Sequence, residues 1–387
     1  MINITDSIIN IGVNDHKIKC FESQFPVPEG MAYNSYVILD EKIAVTDTVE
    51  ESFGQEWLDN LRTVLKDQEP DYLIVHHMEG DHSANIKTFL DTFPKAKLVT
   101  SALALNMIKC YFNEDFSSRT VVVKEGDKLS LGNHCLQFIA APMVHWPEVM
   151  MSYDITDKVL FSADAFGTFG ANDVETEEIW DKEARRYYFG IVGKFGFNVQ
   201  AVLKKAAALD IKTICSLHGP ALTGDLEHVF YLYDMWSGYK PESNGIFIPY
   251  TSVYGHNEKV VNAFVDELEA AGFEDVMAMN LAENDVSEAM AMCFYYKNII
   301  FATTTYNTGI FPLMDDLIRR LEDHNFCNRT VGFIENGSWA PAAARVMKEK
   351  LGKCTNLNFL DGKITVKGSI NEAAVAAMKD YIAKIEK

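Results

Sequence analysis

Two different alternations of apolar and polar residues divide the chain. In the first part, short apolar runs end at turn residues, which is typical of strands in sheets. The runs that matter most below are residues 72–75, 138–144, 159–163 and 212–217. After about residue 245, strand-like runs alternate with helical periodicity, beginning with 245–250 and 258–271. This alternation predicts a parallel sheet covered by helices.

The same pattern predicts the elements near the start of the chain. Residues 31–39 and 42–47 read as the two strands of a hairpin. Residues 57–66 have the spacing of an amphipathic helix. The first part of the chain is therefore mixed, with strands and at least one helix.

One segment, residues 238–245, has the composition of a linker, with two glycines and a proline. A surface loop within one domain would have the same composition. Because the apolar pattern changes at the same place, a boundary is favoured. We expect one domain at 1–245 and a second at 246–387.

Length and composition agree with two folded domains in a reducing compartment. The chain has 387 residues, 48% of them hydrophobic, which is enough for two or three domains with buried cores. Its seven cysteines are scattered singly, without the Cys-x-x-Cys pair of a rubredoxin-like iron site. No apolar run reaches the ~18 residues that span a bilayer, and residues 1–6 lack the features of a secretory signal. We expect a cytoplasmic protein without a membrane partner.

The charge of the chain excludes one class of partner. The formal net charge is −20 at pH 7. An acidic surface repels the phosphate backbone, so a nucleic-acid partner is not expected. Many acidic residues fall on predicted helices, where solubility is a sufficient explanation.

The segment that follows the run 72–75 carries four potential metal ligands within six residues: His77, Glu79, Asp81 and His82. Two imidazoles and two carboxylates exceed what one ordinary ion needs, so the segment indicates two ions side by side. A polar loop that is charged by chance is the alternative for this segment taken alone.

Three further ligand candidates follow the other apolar runs. His145 comes after 138–144, Asp164 after 159–163, and His218 after 212–217. Four strand ends therefore contribute seven candidates, which favours a metal centre at the edge of a sheet over chance.

These spacings resemble the metallo-β-lactamase fold, whose hydrolases carry His-x-His-x-Asp-His and usually hold zinc. Here Glu79 replaces the second His, and a carboxylate in place of a nitrogen hardens the site toward iron or manganese. The whole series resembles the diiron centre of the flavodiiron proteins. The resemblance implies one iron on His77, Glu79 and His145, a second on Asp81, His82 and His218, and Asp164 between them. His76 has no place in that motif and is expected either to contact the ligand segment or to be solvated.

Three loops of the second part follow predicted strands, and ligands of open α/β sheets bind at such carboxyl ends. The first loop, residues 251–257, follows the predicted strand 245–250. It resembles the phosphate loop of flavodoxins, with Asn257 where that family usually has Thr. The second and third follow the strands 298–301 and 331–334. The resemblance implies that FMN is bound by Thr251, Ser252, Val253, Tyr254, Gly255, His256, Asn257, Thr303, Thr304, Thr305, Tyr306, Asn307, Thr308, Gly309, Asn336, Gly337, Ser338 and Trp339. Tyr306 and Trp339 would contact the flavin ring; surface caps over the sheet are the alternative.

The resemblance to flavodiiron proteins covers the entire chain and implies its fold class. That class is α/β, with an N-terminal αββα metallo-β-lactamase-like sandwich followed by a C-terminal flavodoxin-like doubly wound parallel sheet. The implied enzyme is an oxidoreductase with FMN and two iron ions that reduces O2 to water. Reduction of NO to N2O is a real alternative activity, because both gases use the same site.

The resemblance also implies partners. They are a rubredoxin-type electron donor, with reduced deazaflavin as another possibility, and a head-to-tail homodimer or a dimer of such dimers. Many flavodiiron proteins have a His near the metal pocket where this chain has residues 21–25. Glu22 is the nearest polar residue here, so the proton donor stays open.

Two other classes of function compete with this expectation. A zinc hydrolase would use the same fold, but it leaves Glu79 and the second domain unexplained. An electron carrier that has lost its metal is a further alternative, although all seven ligand positions are present.

Overall fold

The computed structural model describes residues 1–174 and 180–386. The chain divides into two compact units, Met1–Asp234 and Met235–Lys387. This division lies upstream of the boundary expected at 245/246, and the domain limits 1–245 and 246–387 stay a prediction. None of the helices within the described residues is long and apolar enough to cross a bilayer.

The first unit is built mainly from short strands. They are β1 (Ile2–Asn3), β2 (Ile8–Asn10), β3 (Val13–Asp15), β4 (Cys20–Phe21), β5 (Phe25–Pro26), β6 (Met31–Tyr33), β7 (Tyr36–Ile38), β8 (Ala44–Thr46), β9 (Tyr72–Ile74), β10 (Lys97–Thr100), β11 (Thr120–Val122), β12 (Lys128–Ser130), β13 (Cys135–Ala140), β14 (Met150–Asp154), β15 (Val159–Phe161), β16 (Thr213–Cys215) and β17 (Leu222–Thr223). Its helices are α1 (Gly54–Leu65), α2 (Gly80–Ser83), α3 (Ile86–Thr92), α4 (Ala102–Phe112), α5 (Trp180–Tyr187), α6 (Gly196–Ala206) and α7 (Leu226–Ser237), the last of which continues past Asp234.

Two larger sheets of this unit share one core. The first has the order β1-β2-β7-β8-β9-β10-β11 and the second the order β12-β13-β14-β15-β16-β17. Their common apolar cluster contains Ile38, Ile74 and Val99 from the first sheet and Phe138 and Phe161 from the second. A sandwich of two sheets follows, because each sheet buries one face against the other.

The predicted helix 57–66 is confirmed as α1, which buries Trp57, Leu58, Leu61 and Leu65 on one face. Residues three and four positions apart lie on the same face of a helix, so this stripe explains why the segment is helical. The helix begins somewhat earlier than expected, at Gly54.

The predicted hairpin is confirmed only in part. β7 and β8 pair in antiparallel fashion, with Val37 opposite Val45, but β6 pairs with β3 instead. Asn34 separates β6 from β7, and its buried side-chain amide donates to the carbonyls of Ser216 at 3.0 Å and Gly219 at 2.7 Å. This amide interrupts the strand and ties it to the segment that contains His218.

The direction of the strands brings the ligand candidates together. β8, β9 and β10 run parallel to one another, and β15 runs parallel to β16. The carboxyl ends of parallel neighbours lie at the same edge of a sheet. The segments that follow β15 and β16, which carry Asp164 and His218, are therefore adjacent.

The second unit is a parallel sheet with helices between its strands. Its strands are β18 (Ser243–Tyr250), β19 (Val276–Asn280), β20 (Tyr296–Tyr306), β21 (Gly309–Ile310), β22 (Thr330–Asn336), β23 (Asn358–Phe359) and β24 (Ile364–Val366). Its helices are α8 (His256–Ala270), α9 (Val286–Tyr295), α10 (Pro312–Asp323), α11 (Ala343–Leu351) and α12 (Glu372–Ile382). The sheet has the order β19-β18-β20-β22-β23, which matches the 2-1-3-4-5 order of flavodoxin-like folds.

One predicted loop of this unit is wrong in part. β20 extends to Tyr306, so the strand expected at 298–301 continues through residues that were expected to form a loop. Thr and Tyr favour extended backbone, and 303–306 consists of three Thr followed by Tyr. The chain turns only at Asn307 and Thr308, both with positive φ, and then pairs back as β21.

Candidate functional site

The segment with four ligand candidates changes from loop to helix in its middle. His77 and Glu79 precede α2, whereas Asp81 and His82 lie within it. The carbonyl of Glu79 accepts a hydrogen bond from the N–H of His82 at 3.0 Å, which closes this helical turn. The segment is thus partly helical, and its two pairs of ligand candidates belong to different clusters.

The first cluster consists of His77, Glu79, His145 and Asp164. Nε2 of His77 lies 3.3 Å from Nε2 of His145 and 3.3 Å from the Glu79 carboxylate. Nε2 of His145 lies 3.0 Å from that same carboxylate. All three donor atoms therefore face a common point.

The second cluster consists of Asp81, His82 and His218. The Nε2 atoms of the two histidines are 3.0 Å apart. A carboxylate oxygen of Asp81 lies 3.4 Å from His82 and 3.3 Å from His218. Both imidazoles are completely buried.

Asp164 connects the two clusters through its two carboxylate oxygens. Oδ2 lies 3.0 Å from Nε2 of His145 and 3.6 Å from that of His77. Oδ1 lies 3.3 Å from Nε2 of His82 and 3.9 Å from that of His218. One carboxylate thus serves both clusters.

The donor set fits two metal ions. Bonds of about 2.0–2.2 Å to one ion place neighbouring ligand atoms about 3.0–3.5 Å apart, close to the separations within each cluster. Both oxygens of Asp81 and of Asp164 are buried and accept no hydrogen bond from the described residues. Buried charges are paired or bind metals, so these oxygens are suited to cations. Mixed nitrogen and oxygen ligands suit iron as well as zinc.

The pKa values of the ligands show how strongly the site attracts positive charge. Burial opposes the charged form of His145, but the adjacent carboxylates of Asp164 and Glu79 raise its pKa to about 9. Burial also opposes ionisation of Asp164, yet His77, His145 and His82 hold its pKa well below the usual range. The Asp164 carboxylate is therefore anionic, and its charge can be balanced by the histidines beside it or by a metal cation.

Several buried groups that sequence reasoning missed hold the ligands in place. Nδ1 of His77 donates to Glu148 at 2.9 Å, and Nδ1 of His218 donates to the carbonyl of Ala32 at 2.8 Å. Asp47 is another of these buried groups. It directly follows β8, the strand parallel to β9, and a carboxylate at such a strand end is the signal in the sequence that could have identified it. His76 is buried between Asp47 at 2.6 Å and Ser152 at 2.8 Å, so the solvated alternative for His76 is wrong.

Aromatic rings surround the second cluster. The ring of His218 lies 5.1 Å from Phe21, 5.9 Å from Tyr33 and 5.6 Å from Tyr187 between centroids. The Tyr187 hydroxyl is buried and has no hydrogen-bond partner among the described residues. Burial, together with the charges of Asp164 and Glu79, raises its pKa well above the usual value, so it stays a neutral donor.

Glu22, the open candidate for proton transfer, lies near the first cluster. Partial loss of water around the carboxyl and the charge of Glu79 raise the pKa of Glu22 to about 7, although the residue as a whole is exposed. The backbone of Glu22 has a positive φ of 47°. The structure thus places this carboxyl beside Glu79.

The second unit contains a cleft of about 320 Å³ at the carboxyl ends of its strands. The predicted residues that line it are Val253, Tyr254, His256, Asn257, Thr304, Thr305, Tyr306, Asn336, Gly337, Ser338 and Trp339. Gly368, which sequence reasoning missed, also lines it and exchanges two hydrogen bonds of 2.9 Å with the Asn336 side chain. All three predicted loops therefore meet at one cleft.

The other predicted cofactor residues do not lie on the cleft wall: Thr251, Ser252, Gly255, Thr303, Asn307, Thr308 and Gly309. Some of them support the wall. Thr251 and Thr303 are buried and share a hydrogen bond of 2.6 Å. Gly255 has a φ of 80° immediately before α8, a conformation that favours glycine.

The cleft has the features that FMN requires. α8 begins beside it, and the free N–H groups of a helix N-terminus attract phosphate. Oδ1 of Asn257 and Oγ1 of Thr304 are buried there without a partner among the described residues. Tyr254, Tyr306 and Trp339 are exposed at its rim, where a flat ring would cover them.

Comparisons with known proteins agree with this geometry. Residues 31–219 match the family model described as ODP family beta lactamase. The nitric oxide reductase of Moorella thermoacetica is 30% identical over 363 residues, covering 90% of this chain and 89% of the relative. The rubredoxin oxygen:oxidoreductase of Desulfovibrio gigas has a TM-score of 0.91 at 25% identity, covering 99% and 97% of the two chains. The flavodiiron protein of Giardia intestinalis, at 23% identity, shares the fold with a TM-score of 0.88 and coverage of 99% and 95%.

The fold and the paired clusters define a protein with a metallo-β-lactamase-like dinuclear site followed in the chain by a flavodoxin-like unit. With a relative at 30% identity across most of both sequences, the assignment reaches the level of family. The chain belongs to the flavodiiron proteins.

Proposed function

We propose that this protein is an oxygen reductase that converts O2 to two waters, with reduction of NO to N2O as a second activity of the same site. The observation that carries the proposal is the position of Asp164, whose two oxygens face two separate clusters of ligands. Two ions that share one carboxylate lie close enough to act on one small molecule.

The ligand assignment is part of the proposal. One iron is held by His77, Glu79 and His145, the other by Asp81, His82 and His218, and Asp164 joins them. When bound, two ferrous ions and a reduced FMN supply the four electrons that O2 needs to become water. The buried rings of Phe21, Tyr33 and Tyr187 exclude bulk water from the second cluster.

We place FMN in the cleft of the second unit. Its phosphate would lie at the N-terminus of α8, near Asn257. Tyr306 and Trp339 would contact the ring. The domain limits 1–245 and 246–387 assign the irons to the first domain and FMN to the second.

The partners are also proposed. A small rubredoxin-type protein is the expected donor, supported by the name of the Desulfovibrio gigas oxidoreductase. A head-to-tail homodimer, alone or as a dimer of dimers, would bring FMN of one copy to the irons of another. We place the protein in the cytoplasm.

A primary NO reductase is the second candidate. It is favoured by the Moorella thermoacetica relative, which is named a nitric oxide reductase. The ligands alone do not rank the gases, because O2 and NO would bind at the same pair of ions.

Parallel gas electrodes test both candidates. Protein with measured iron and FMN content is supplied with reduced rubredoxin in sealed cells, and O2 and NO are followed separately. We expect rapid O2 loss that scales with iron content, without accumulation of peroxide. Faster loss of NO would favour the second candidate.

Metal analysis provides the control. A preparation loaded with zinc instead of iron should consume no NO, and any O2 that its reduced flavin consumes should appear as peroxide. If fully loaded iron protein consumes neither gas, the reductase proposal is wrong and ester or thioester hydrolysis by the zinc form becomes the next assay.

A further inference from the structure

Glu148 is a buried carboxylate directly behind one ligand. Its side chain is fully buried, and Oε1 lies 2.9 Å from Nδ1 of His77. The same oxygen accepts a hydrogen bond of 2.9 Å from the N–H of Met78. Oε2 has no hydrogen-bond partner among the described residues. Nδ1 of His77 therefore carries the proton, and Nε2 is the atom that faces the cluster.

The histidines of the second cluster have weaker support. Nδ1 of His218 donates to a neutral carbonyl, that of Ala32, at 2.8 Å. Nδ1 of His82 is buried and has no partner among the residues that the structure describes. A carboxylate draws an imidazole proton more strongly than a carbonyl does, and so it makes the opposite nitrogen a stronger metal ligand. The two clusters are thus supported unequally.

The charge of Glu148 needs a cation nearby. A buried carboxylate without a counter-charge costs several kcal/mol. The two clusters contain three carboxylates, those of Glu79, Asp81 and Asp164. Glu148 is a fourth buried carboxylate, directly behind His77, and Asp47 is a fifth that accepts from the backbone N–H of His77. Of these two, Glu148 is the one that contacts the His77 ring.

We propose that Glu148 is a positioning residue that makes the two metal sites unequal. Through His77 it strengthens the site formed with Glu79 and His145, so the iron there is bound more tightly and oxidised more easily than its neighbour. This inference rests on the proposed diiron function. It adds a prediction of which of the two irons is oxidised first.

The variant that separates charge from shape is Glu148→Gln. Gln has the same size, and its amide oxygen can still accept from His77 and Met78, but it carries no charge. Glu148→Ala removes both the acceptor and the charge. The matched control is Asp154→Asn, because Asp154 is a fully buried carboxylate that accepts from Nδ1 of His134 at 3.0 Å. With His134 and Asp157 it forms a separate group of possible ligands that shares no residue with the two clusters.

The full-length protein is stripped of metal, and Fe(II) is added without oxygen. Iron per chain and the dissociation constants are measured first. The two one-electron midpoint potentials are then measured by following the mixed-valent EPR signal, with Mössbauer spectra of both ions. None of these measurements depends on gas consumption.

In Glu148→Gln we expect two irons per chain. The site formed by His77, Glu79 and His145 should bind its iron about 10–100-fold more weakly than in the wild type. The midpoint potential of the iron at His77 should rise, and that of the other iron should change less. Loss of the negative charge destabilises the nearer ferric ion more. Glu148→Ala should lose one iron before the other. Asp154→Asn should match the wild type in every measurement.

Equal shifts of both potentials, or no change in affinity and potentials, would overturn the inference. If Glu148→Gln does not fold, Glu148→Asp gives the second test. It keeps the charge beside His77, so both potentials should match the wild type, and a shift of either potential would overturn the inference. Failure of the function is distinguishable: wild-type protein would then bind no iron pair or consume no gas, whatever the variants do.

Discussion

The carboxylate of Asp47 lies 2.6 Å from Nδ1 of His76, and both side chains are almost completely buried. The second oxygen of Asp47 accepts from the backbone N–H of His76 at 2.7 Å and of His77 at 3.3 Å. Asp47, the residue directly after β8, thus holds the backbone of His76 and His77 in place. The segment with the four ligand candidates begins there.

Replacing Asp47 with Ala should loosen that segment. Each buried group left without its partner costs about 1–3 kcal/mol, and three donors lose their acceptor here. We expect the free energy of unfolding of the metal-free protein to fall by at least about 2 kcal/mol, with fewer than two irons bound. Urea denaturation and iron analysis measure the two effects.

Ser152→Ala is the control for this prediction. It removes only the partner of Nε2 of His76, at 2.8 Å, and should cost about 1 kcal/mol while both irons stay bound. An Asp47→Ala protein with wild-type stability and iron content would show that Asp47 does not position the segment.

A second prediction separates ligand histidines from other buried histidines. His218→Ala removes a proposed ligand of the second cluster, so iron content and gas consumption should fall sharply while FMN stays bound. His134→Ala is matched, because His134 is also buried and paired with a carboxylate, that of Asp154. The His134→Ala protein should keep both irons. Equal iron loss in both variants would mean that general destabilisation, not ligation, explains the result.

The Tyr187 hydroxyl leads to a prediction with the opposite sign. It is buried without a partner among the described residues, so Tyr187→Phe should stabilise the metal-free protein by up to about 1 kcal/mol. Tyr233 is equally buried, but its hydroxyl accepts from the N–H of Phe166. Tyr233→Phe should therefore destabilise. Thermal unfolding of both metal-free variants checks the difference, and a destabilised Tyr187→Phe would indicate that its hydroxyl has a partner.

The flavin cleft can be tested by a single added charge. Asn257→Asp places a carboxylate beside the proposed phosphate position, where like charges repel, so FMN should bind at least about tenfold more weakly. Iron content should not change. Flavin fluorescence during titration of the FMN-free protein gives the affinity.

Asn284→Asp adds the same charge at an exposed position of the same unit, outside the cleft wall. It should leave the affinity for FMN unchanged. Unaltered binding in Asn257→Asp would place the phosphate elsewhere.

The sequence by itself determined which residues are candidate ligands. His145, Asp164 and His218 each follow a short apolar run, and such local signals survive without knowledge of the fold. The same holds for the three loops that meet at the flavin cleft. Local pattern was less reliable at 302–306, where the long strand β20 pairs along its length with β22. That pairing is a contact between distant segments, which periodicity does not reveal.

Only the tertiary structure decided how the ligands are shared and supported. The two oxygens of Asp164 face different clusters because β15 lies beside β16 in the folded sheet. Glu148 supports His77 across 71 residues of sequence, and Asp47 supports His76 across 29. No spacing rule predicts such contacts, since they depend on which strand ends become neighbours. The chain therefore specifies its candidate ligands locally, whereas the folded sheets decide which buried groups support each cluster.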